Sequence, residues 1–350
     1  MAYSTINKSS EHFNTKFYTG TGSSNAVTGV GFQPDWVWVK NRTGTNNHRM
    51  ANAVSGSSEV HSSNITNVGA DSSYFSSFNS DGFTIGTAAD TNVNGGSFAS
   101  WNWKANGAGS ANTSGSISST VSANTTSGFS IVSYTGTGAN ASIGHGLGVA
   151  PKVVLIKSLS STEDWSFYFL DTSVASNNVN NYLELNTTNA SAGDSGARFG
   201  VYSNFTTSTF GVGNDNATNA SGSNYIAYCF VDVQGYSKFG SYTGNGSGDG
   251  TFVYTGFKPA FAILKCTNTA RSWQIHNNKL NPFNSCTSRL FPNLSDAEAT
   301  GTEQFVDFLS NGFKLKSNDA NGNGTGNSYI YMAFAEAPLV GTNNVPATAR

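Results

Sequence analysis

Charge is what this chain has least of. Of its 350 residues only 11% are Asp, Glu, Lys or Arg, under half of the roughly 25% usual in soluble domains. The net charge of −2 at pH 7 offers no basic face of the kind that binds nucleic acid. Cysteine is as sparse: Cys229, Cys266 and Cys286 are odd in number and too few for a disulfide framework, which fits a reducing compartment. No apolar run approaches the roughly 20 residues needed to span a bilayer. The N-terminal MAYSTINKSSEH lacks the charged and apolar regions of a secretory signal. Long helix-formers are few, and Gly, Ser, Thr and Asn, which favour turns, stand in their place. These absences predict a soluble all-β protein without membrane insertion.

What the chain does contain is repetition. YTGTG (18–22) returns as YTGTG (134–138) and YTGNG (242–246). From that Tyr to the next shared Pro the step is 16 residues in the first copy (18 to 34) and 17 in the others (134 to 151, 242 to 259). Six residues on come Lys40, Lys157 and Lys265, closing WVWVK, VVLIK and FAILK. SFNSDGFTIG (77–86) matches DFLSNGFKLK (307–316), with STFGVG (208–213) a degenerate middle copy. Each copy closes on an aromatic strand: FASWNW (98–103), YIAYCF (225–230) and YIYMAF (329–334). A period above a hundred residues exceeds any solenoid repeat, so each copy has the size of a β-sandwich module.

The expected fold is therefore three tandem β-sandwich modules, jelly-roll or lectin-like, related by internal triplication. The boundaries read as an N-terminal arm (1–12), repeat 1 (13–106), a Gly/Ser/Thr/Asn-rich linker (107–127), repeat 2 (128–234), repeat 3 (235–337) and a C-terminal tail (338–350). The linker composition predicts a flexible or extended segment. WVWVK, VVLIK and FAILK are apolar on both faces and predict central strands, with the lysine marking where each surfaces. Asp-Gly and Asn-Gly in SDGF and SNGF predict tight hairpins. LSDAEATGTEQFVDFL (294–309) is the one stretch with a helix signature, a Ser295 cap with Glu298 three residues on. The sixth residue of each closing strand, Trp103, Phe230 or Phe334, is the expected core anchor of its own sandwich.

Candidate chemistry is thin. Asp90, Asn92 and Asn94 before Gly95, and Asp319, Asn321 and Asn323 before Gly324, resemble the first half of a calcium loop. The bidentate acid of such a loop is missing, Trp101 and Ile330 standing in its place, so a polar hairpin is the preferred reading and no cofactor is assigned. The histidines His12, His48, His61, His145 and His276 show no ligand spacing and read as solvated loop residues. Asp81 becomes Asn311 in the third copy, an exchange no general acid tolerates. Eight residues past the strand lysine stand Trp165 and Trp273, with His48 in the first copy. Either Trp is a candidate for stacking on a sugar ring; packing is the preferred reading. No nucleophile elbow, phosphate loop or dinucleotide fingerprint occurs.

HFNTKFYTGTG (12–22), GFQPDWVWVKNRTG (31–44), WNWKANGAG (101–109) and YIAYCFVDVQGYSKFGSYTGNGSGDG (225–250) resemble structural proteins of marine tailed bacteriophages, commonly described as tail-fibre or virion components. The resemblance spans nearly the whole chain and brings no catalytic residues with it. It implies a place in the virion, with synthesis in the host bacterial cytoplasm. The expected function is a non-enzymatic virion structural protein, a tail-fibre or host-adhesion component. Capsid decoration on the head surface is the alternative, and a glycan depolymerase, testable at Asp164 or Asp171, the weaker one. Expected partners are other virion proteins of tail or capsid, a host surface glycan and further copies in a homo-oligomer.

Overall fold

The computed structural model describes residues 3–67, 69, 71–170, 180–200, 204–301, 306–341, 346 and 347. It is all-β, 45% strand and 4% helical, and the helical elements among its described residues include a 3-10 turn at Ser9–Glu11 and single turns α1 (Ala89–Asn92) and α2 (Asn216–Asn219). No helix among the described residues is long and apolar enough to cross a membrane.

The first segment contributes β1 (Phe13–Thr19), β2 (Asn25–Thr28), β3 (Trp36–Asn41), β4 (Arg49–Asn52), β5 (Gly56–His61), β6 (Phe75–Asn79), β7 (Gly82–Ile85) and β8 (Ser97–Trp103). They form a large antiparallel sheet, order β1-β8-β3-β4-β5, and a small one, β2-β7-β6. The second segment contributes β9 (Ser110–Asn112), β10 (Ser119–Asn124), β11 (Phe129–Thr135), β12 (Ala141–Gly144), β13 (Val153–Ser158), β14 (Ser166–Phe169), β15 (Asn180–Glu184), β16 (Ala192–Asp194), β17 (Thr209–Val212) and β18 (Asn224–Phe230). Its sheets run β16-β15-β14-β13-β18-β11-β10-β9 and β12-β17. The third contributes β19 (Ser237–Thr243), β20 (Phe252–Tyr254), β21 (Phe257–Cys266), β22 (Gln274–Asn277), β23 (Ser288–Arg289), β24 (Ala299–Thr300), β25 (Val306–Leu309), β26 (Gly312–Leu315) and β27 (Ser328–Pro338). Here the sheets are β19-β27-β21-β22 and β20-β26-β25, with β23-β24 as a pair. In every segment the closing aromatic strand lies between the YTG strand and the lysine strand.

Side-chain alternation on these central strands explains why they are apolar throughout. Val37 and Val39 face a core between the large and small sheets of the first segment, as Val154 and Ile156 do in the second and Ala262 and Leu264 in the third. Their neighbours Trp36, Trp38, Val153, Leu155, Phe261 and Ile263 face the other way, into one core common to all three segments. Each large sheet is thus buried on both faces, which a strand of period two can satisfy only with apolar residues at every position.

Three expectations are corrected. The segment 107–127 holds all of β9 and β10, hydrogen-bonded onto the edge of the second large sheet beside β11. Its uncharged Ser and Thr residues, which suit a spacer, pair equally well as strands at a sheet edge. The 294–309 stretch contains no helix among its described residues; it carries β24 and β25. Glu298, read as half of a capping box, instead pairs with Arg42 at 2.5 Å. The arm 1–12 packs down as far as it is described, with Ser4, Ile6 and Ser9 buried and Ile6 in the shared core.

Candidate functional site: the seam between segments

Where the segments meet, one contact is made three times. The indole Nε1 of Trp165 donates to the Ser62 carbonyl at 2.7 Å, from the second segment to the first. Trp273 Nε1 donates to the Glu184 carbonyl at 2.9 Å, from the third to the second. His48 Nε2 lies 2.9 Å from the Phe291 carbonyl, joining the first to the third and closing the circle. Trp38 Nε1 donates to His48 Nδ1 at 2.8 Å, so Nδ1 is the acceptor and the ring proton sits on Nε2, where it is donated to Phe291. Burial, and then the Lys40 cation, hold His48 well below the ordinary imidazole range, which keeps it in this neutral form. Trp165 and Trp273 are 0% and 1% exposed. Neither can stack on a sugar; both are seam residues, each meeting the need of a buried indole for an acceptor.

The strand lysines lie inside the protein, a correction to the expectation that they surface: Lys40, Lys157 and Lys265 are each 0% exposed. Lys157 Nζ donates to the carbonyls of Thr66 (2.9 Å) and Glu163 (2.7 Å), and Lys265 Nζ to those of Thr188 (2.9 Å) and Arg271 (2.5 Å). Each ammonium therefore ties a loop of its own segment to a loop of the preceding one. Lys40 keeps to its own loop, donating to Asn41 and Gly44. At that joint the Arg42–Glu298 pair and the Glu298 N–H to Arg42 carbonyl bond (2.8 Å) make the crossing. Burial lowers all three lysines to about 8, against weaker support from nearby Asp90 and Asp296 for Lys40, from Glu163 and Asp164 for Lys157, and from the Cys266 thiol for Lys265.

Trp103, Phe230 and Phe334 converge. Phe334 lies 5.8 Å from Trp103 and 6.0 Å from Phe230, both edge to face. The expectation of one anchor per sandwich is corrected: all three belong to the shared core. At its centre is a space of about 10 Å³ lined by side chains of all three segments, among them Trp36, Leu155, Phe230 and Met332, with no polar lining. One water at most would fit, and it would find no hydrogen-bond partner, so the centre is packing and not a ligand pocket.

The calcium reading is replaced by a different role for its residues. Asn92 Oδ1 accepts the Thr21 N–H (2.8 Å) while Nδ2 donates to the carbonyls of Ser23 and Gly86. Asn323 accepts from the Asn245 N–H and donates to Ser247 and Ser317. Asn219 does the same with Thr137, Ala139 and Gly213. These three asparagines clamp the YTGxG loops. The loops need their glycines: a Cβ on Gly20, Gly136 or Gly244 would collide with a backbone carbonyl, and Gly22, Gly138 and Gly246 hold φ of 71°, 74° and 66°, a region other residues avoid. The two Asp-x-Asn-x-Asn stretches are out of phase, since the clamp is the second member of the first and the third of the other. Asp90 is engaged by Arg49 at 2.6 Å. Asp319 accepts from the Asn321 backbone. Asn94 sits in the turn after α1, against Gly22. No cluster of three metal-ligating acids, histidines or cysteines occurs among the described residues.

Four histidines expected in solvent are buried: His48, His61, His145 and His276. His61 and His276 fall to about 3, first through burial and then through Lys157 and Arg289 respectively. Both ring nitrogens of His61 lack a hydrogen-bond partner. His61 pairs with Met50 across β4 and β5, whereas Leu183 faces Phe167 and Leu290 faces Ile275 at the matching places. Of the carboxylates weighed for catalysis, Asp164 accepts from Asn186 at 2.6 Å; Asp171 lies outside the described residues.

A family described as a domain of unknown function, DUF7483, matches residues 8–338. The chain belongs to the DUF7483 family. No curated protein matches it. The matched span of this DUF7483 chain takes in all three segments and every seam contact above.

Proposed function

We propose that this DUF7483 protein is a non-enzymatic structural component of a bacteriophage particle, and that it is one β-sandwich module copied three times and closed on itself. The observation that carries the architecture is the recurring joint, in which Trp165, Trp273 and His48 each donate to a carbonyl of the neighbouring segment. Three such joints in one chain reproduce the closed heterologous contact of a cyclic trimer. Because the seam is satisfied within the chain, a homo-oligomer would be built through the outer sheets. Lys157, Lys265 and His48 in the seam are buried and donate to carbonyls, a use that serves rigidity and supports the non-enzymatic reading.

Within that class the preferred place is a tail-fibre or host-adhesion appendage, which gains avidity from repeated units. Decoration of the head surface is the second reading. It is favoured by the folding of residues 107–127 into strands, which gives a body held together by a common core in place of an extended fibre. Immunogold labelling of intact particles tests both. Label on the tail is the expected result, even label over the head selects decoration, and particles without label overturn the virion assignment.

A further inference from the structure

Among the described residues the exposed large aromatic side chains are Phe252, Tyr254 and Phe283, all in the third segment. Phe252 and Tyr254 stand two apart on β20 and are 45% and 49% exposed, while Val253 between them is buried. They therefore share the outer face of the small sheet. The first segment puts Ala26 and Thr28 around Val27 opposite Phe83, and the second puts Ser142 and Gly144 around Ile143 opposite Phe210. Only the third segment places rings there.

Their surroundings hold the rings and leave a face open. Lys238 Nζ lies 5.2 Å from the Tyr254 ring centre and donates to the Tyr254 carbonyl at 3.0 Å. Nearby, the Tyr3 hydroxyl donates to the Gly256 carbonyl at 2.6 Å. Opposite Tyr254 on β26 is Gly312, and the Phe252 ring leans over it, its Cε2 3.1 Å from where a Cβ on Gly312 would stand. Opposite Phe252 is Lys314, paired with the exposed Asp249 at 2.5 Å. Both cations are already engaged, one by a carbonyl and a ring, the other by a carboxylate. The face offers two rings held in place, a polar rim and, beside the rings themselves, no cation without a partner; Lys316 lies past the end of β26, near Asp249.

We propose that the outer face of β20 and β26, centred on Phe252 and Tyr254, is a stacking site for a neutral saccharide. A pyranose presents an apolar C–H face to a ring and hydroxyls to a polar rim, which is the complement of this surface. An anionic glycan would need a free cation at the rings, where Lys238 and Lys314 are both engaged, and a protein partner a larger contiguous apolar patch. The assignment deepens the host-adhesion reading and rests on it, moving the sugar contact from the buried Trp165 and Trp273 to an open face.

Saturation-transfer NMR on the full chain with maltohexaose, cellohexaose, a mannan oligosaccharide and a heparin oligosaccharide tests this. Transfer from protein to the ring protons of at least one neutral sugar is expected. Phe252→Ala and Tyr254→Ala should each weaken binding by about ten-fold or more, the loss of one stacking contact, while the protein stays folded with its melting temperature lowered by about a few degrees at most, since both rings are half exposed. Lys157→Met, remote from β20 in the seam, should leave binding intact in the folded protein. No transfer to any neutral sugar, binding of the heparin oligosaccharide alone, or unchanged binding in the double variant would overturn the site. None of those outcomes alters the immunogold result, so the two proposals fail separately.

Discussion

Trp103 and Phe334 meet edge to face at 5.8 Å, with ring planes 73° apart, although one closes the first segment and the other the last. Phe13 stacks on Phe334 at 5.0 Å and leans on Trp103 at 4.9 Å, so the contact is locked from both ends of the chain. A core built in this way cannot lose one segment and keep the other two intact.

Unfolding is therefore expected as one cooperative transition and not three. Calorimetry checks this: the calorimetric and van't Hoff enthalpies should agree, and Phe334→Ala should lower stability by about 3–5 kcal/mol, as for a large aromatic removed from a core. Three separable transitions would mean that the segments stand alone.

The buried lysines set the alkaline behaviour. Each folded-state value is about 8, below the 10.5 of the unfolded chain, so between these limits the unfolded state holds more protons and stability rises with pH. The contribution is complete above 10.5 and is lost as pH falls through 8. Burial raises Tyr134, Tyr225 and Tyr242, and these act in the opposite sense once unfolded tyrosines ionise near 10. Denaturant melts should show stability climbing from pH 8 towards 10 and falling beyond. Lys157→Met should remove about a third of the climb and lower stability at pH 7 by about 1–3 kcal/mol by leaving the Thr66 and Glu163 carbonyls unpaired.

Acid acts through the histidines. His61 and His276 titrate near 3 when folded and near 6.5 when unfolded, so their contribution is present above 6.5 and is lost as pH falls from there towards 3. His61 lies edge-on to Trp165 at 6.3 Å, at a position that the other segments fill with Leu183 and Leu290. His61→Leu should stabilise the protein at pH 7 by about 1–3 kcal/mol, since a buried polar group without partners is removed, and should flatten the acid limb. A loss of stability in thermal melts at pH 7 would show that the ring is needed where it stands.

The sequence carried the strands further than it carried their partners. Two-sided apolar runs such as WVWVK identify a strand covered on both faces, and YTGTG with its glycines identifies a tight loop. Neither says whether the second face meets a private core or a common one, because Trp36 and Val37 are both simply apolar. A lysine ending a strand looks the same whether it reaches water or, as Lys157 does, the carbonyl of Thr66 in another segment. The acceptors Ser62, Glu184 and Phe291 have nothing in common as side chains, since the backbone carbonyl is what is used. The asparagine clamp has a sequence signal, since Asn92, Asn219 and Asn323 all precede their closing strand, but the calcium-like Asp-x-Asn-x-Asn spacing places the clamp at different members of the two stretches.

The clamp carries its own expectation. Asn219 Nδ2 donates to Ala139 and Gly213, both at 2.6 Å, and a carboxylate there would face two carbonyls with nothing to give. Asn219→Asp should cost about 3 kcal/mol or more at neutral pH and recover part of that as the acid is protonated. Millimolar calcium should leave the melting temperature of the parent protein unchanged. A rise on adding calcium would restore the metal reading of these loops.

Chain continuity between the first and second segments should matter little, because side chains and a common core hold them together. Ser4 and Pro338 both crowd the bare face of Gly235, so the two ends of the described body lie side by side. Gly107 has φ of 67° with open space around it, and Ala108 beside it is exposed. A circular permutant joining residue 338 to residue 3 through a linker of about two to four residues, opened between Gly107 and Ala108, keeps every large sheet whole and every joint in reach. Cuts in exposed turns of this kind are the ones proteins tolerate. The permutant should melt cooperatively within a few degrees of the parent, measured by circular dichroism. Failure to fold would mean that the covalent link at residue 107, and not the seam, registers the first segment against the second.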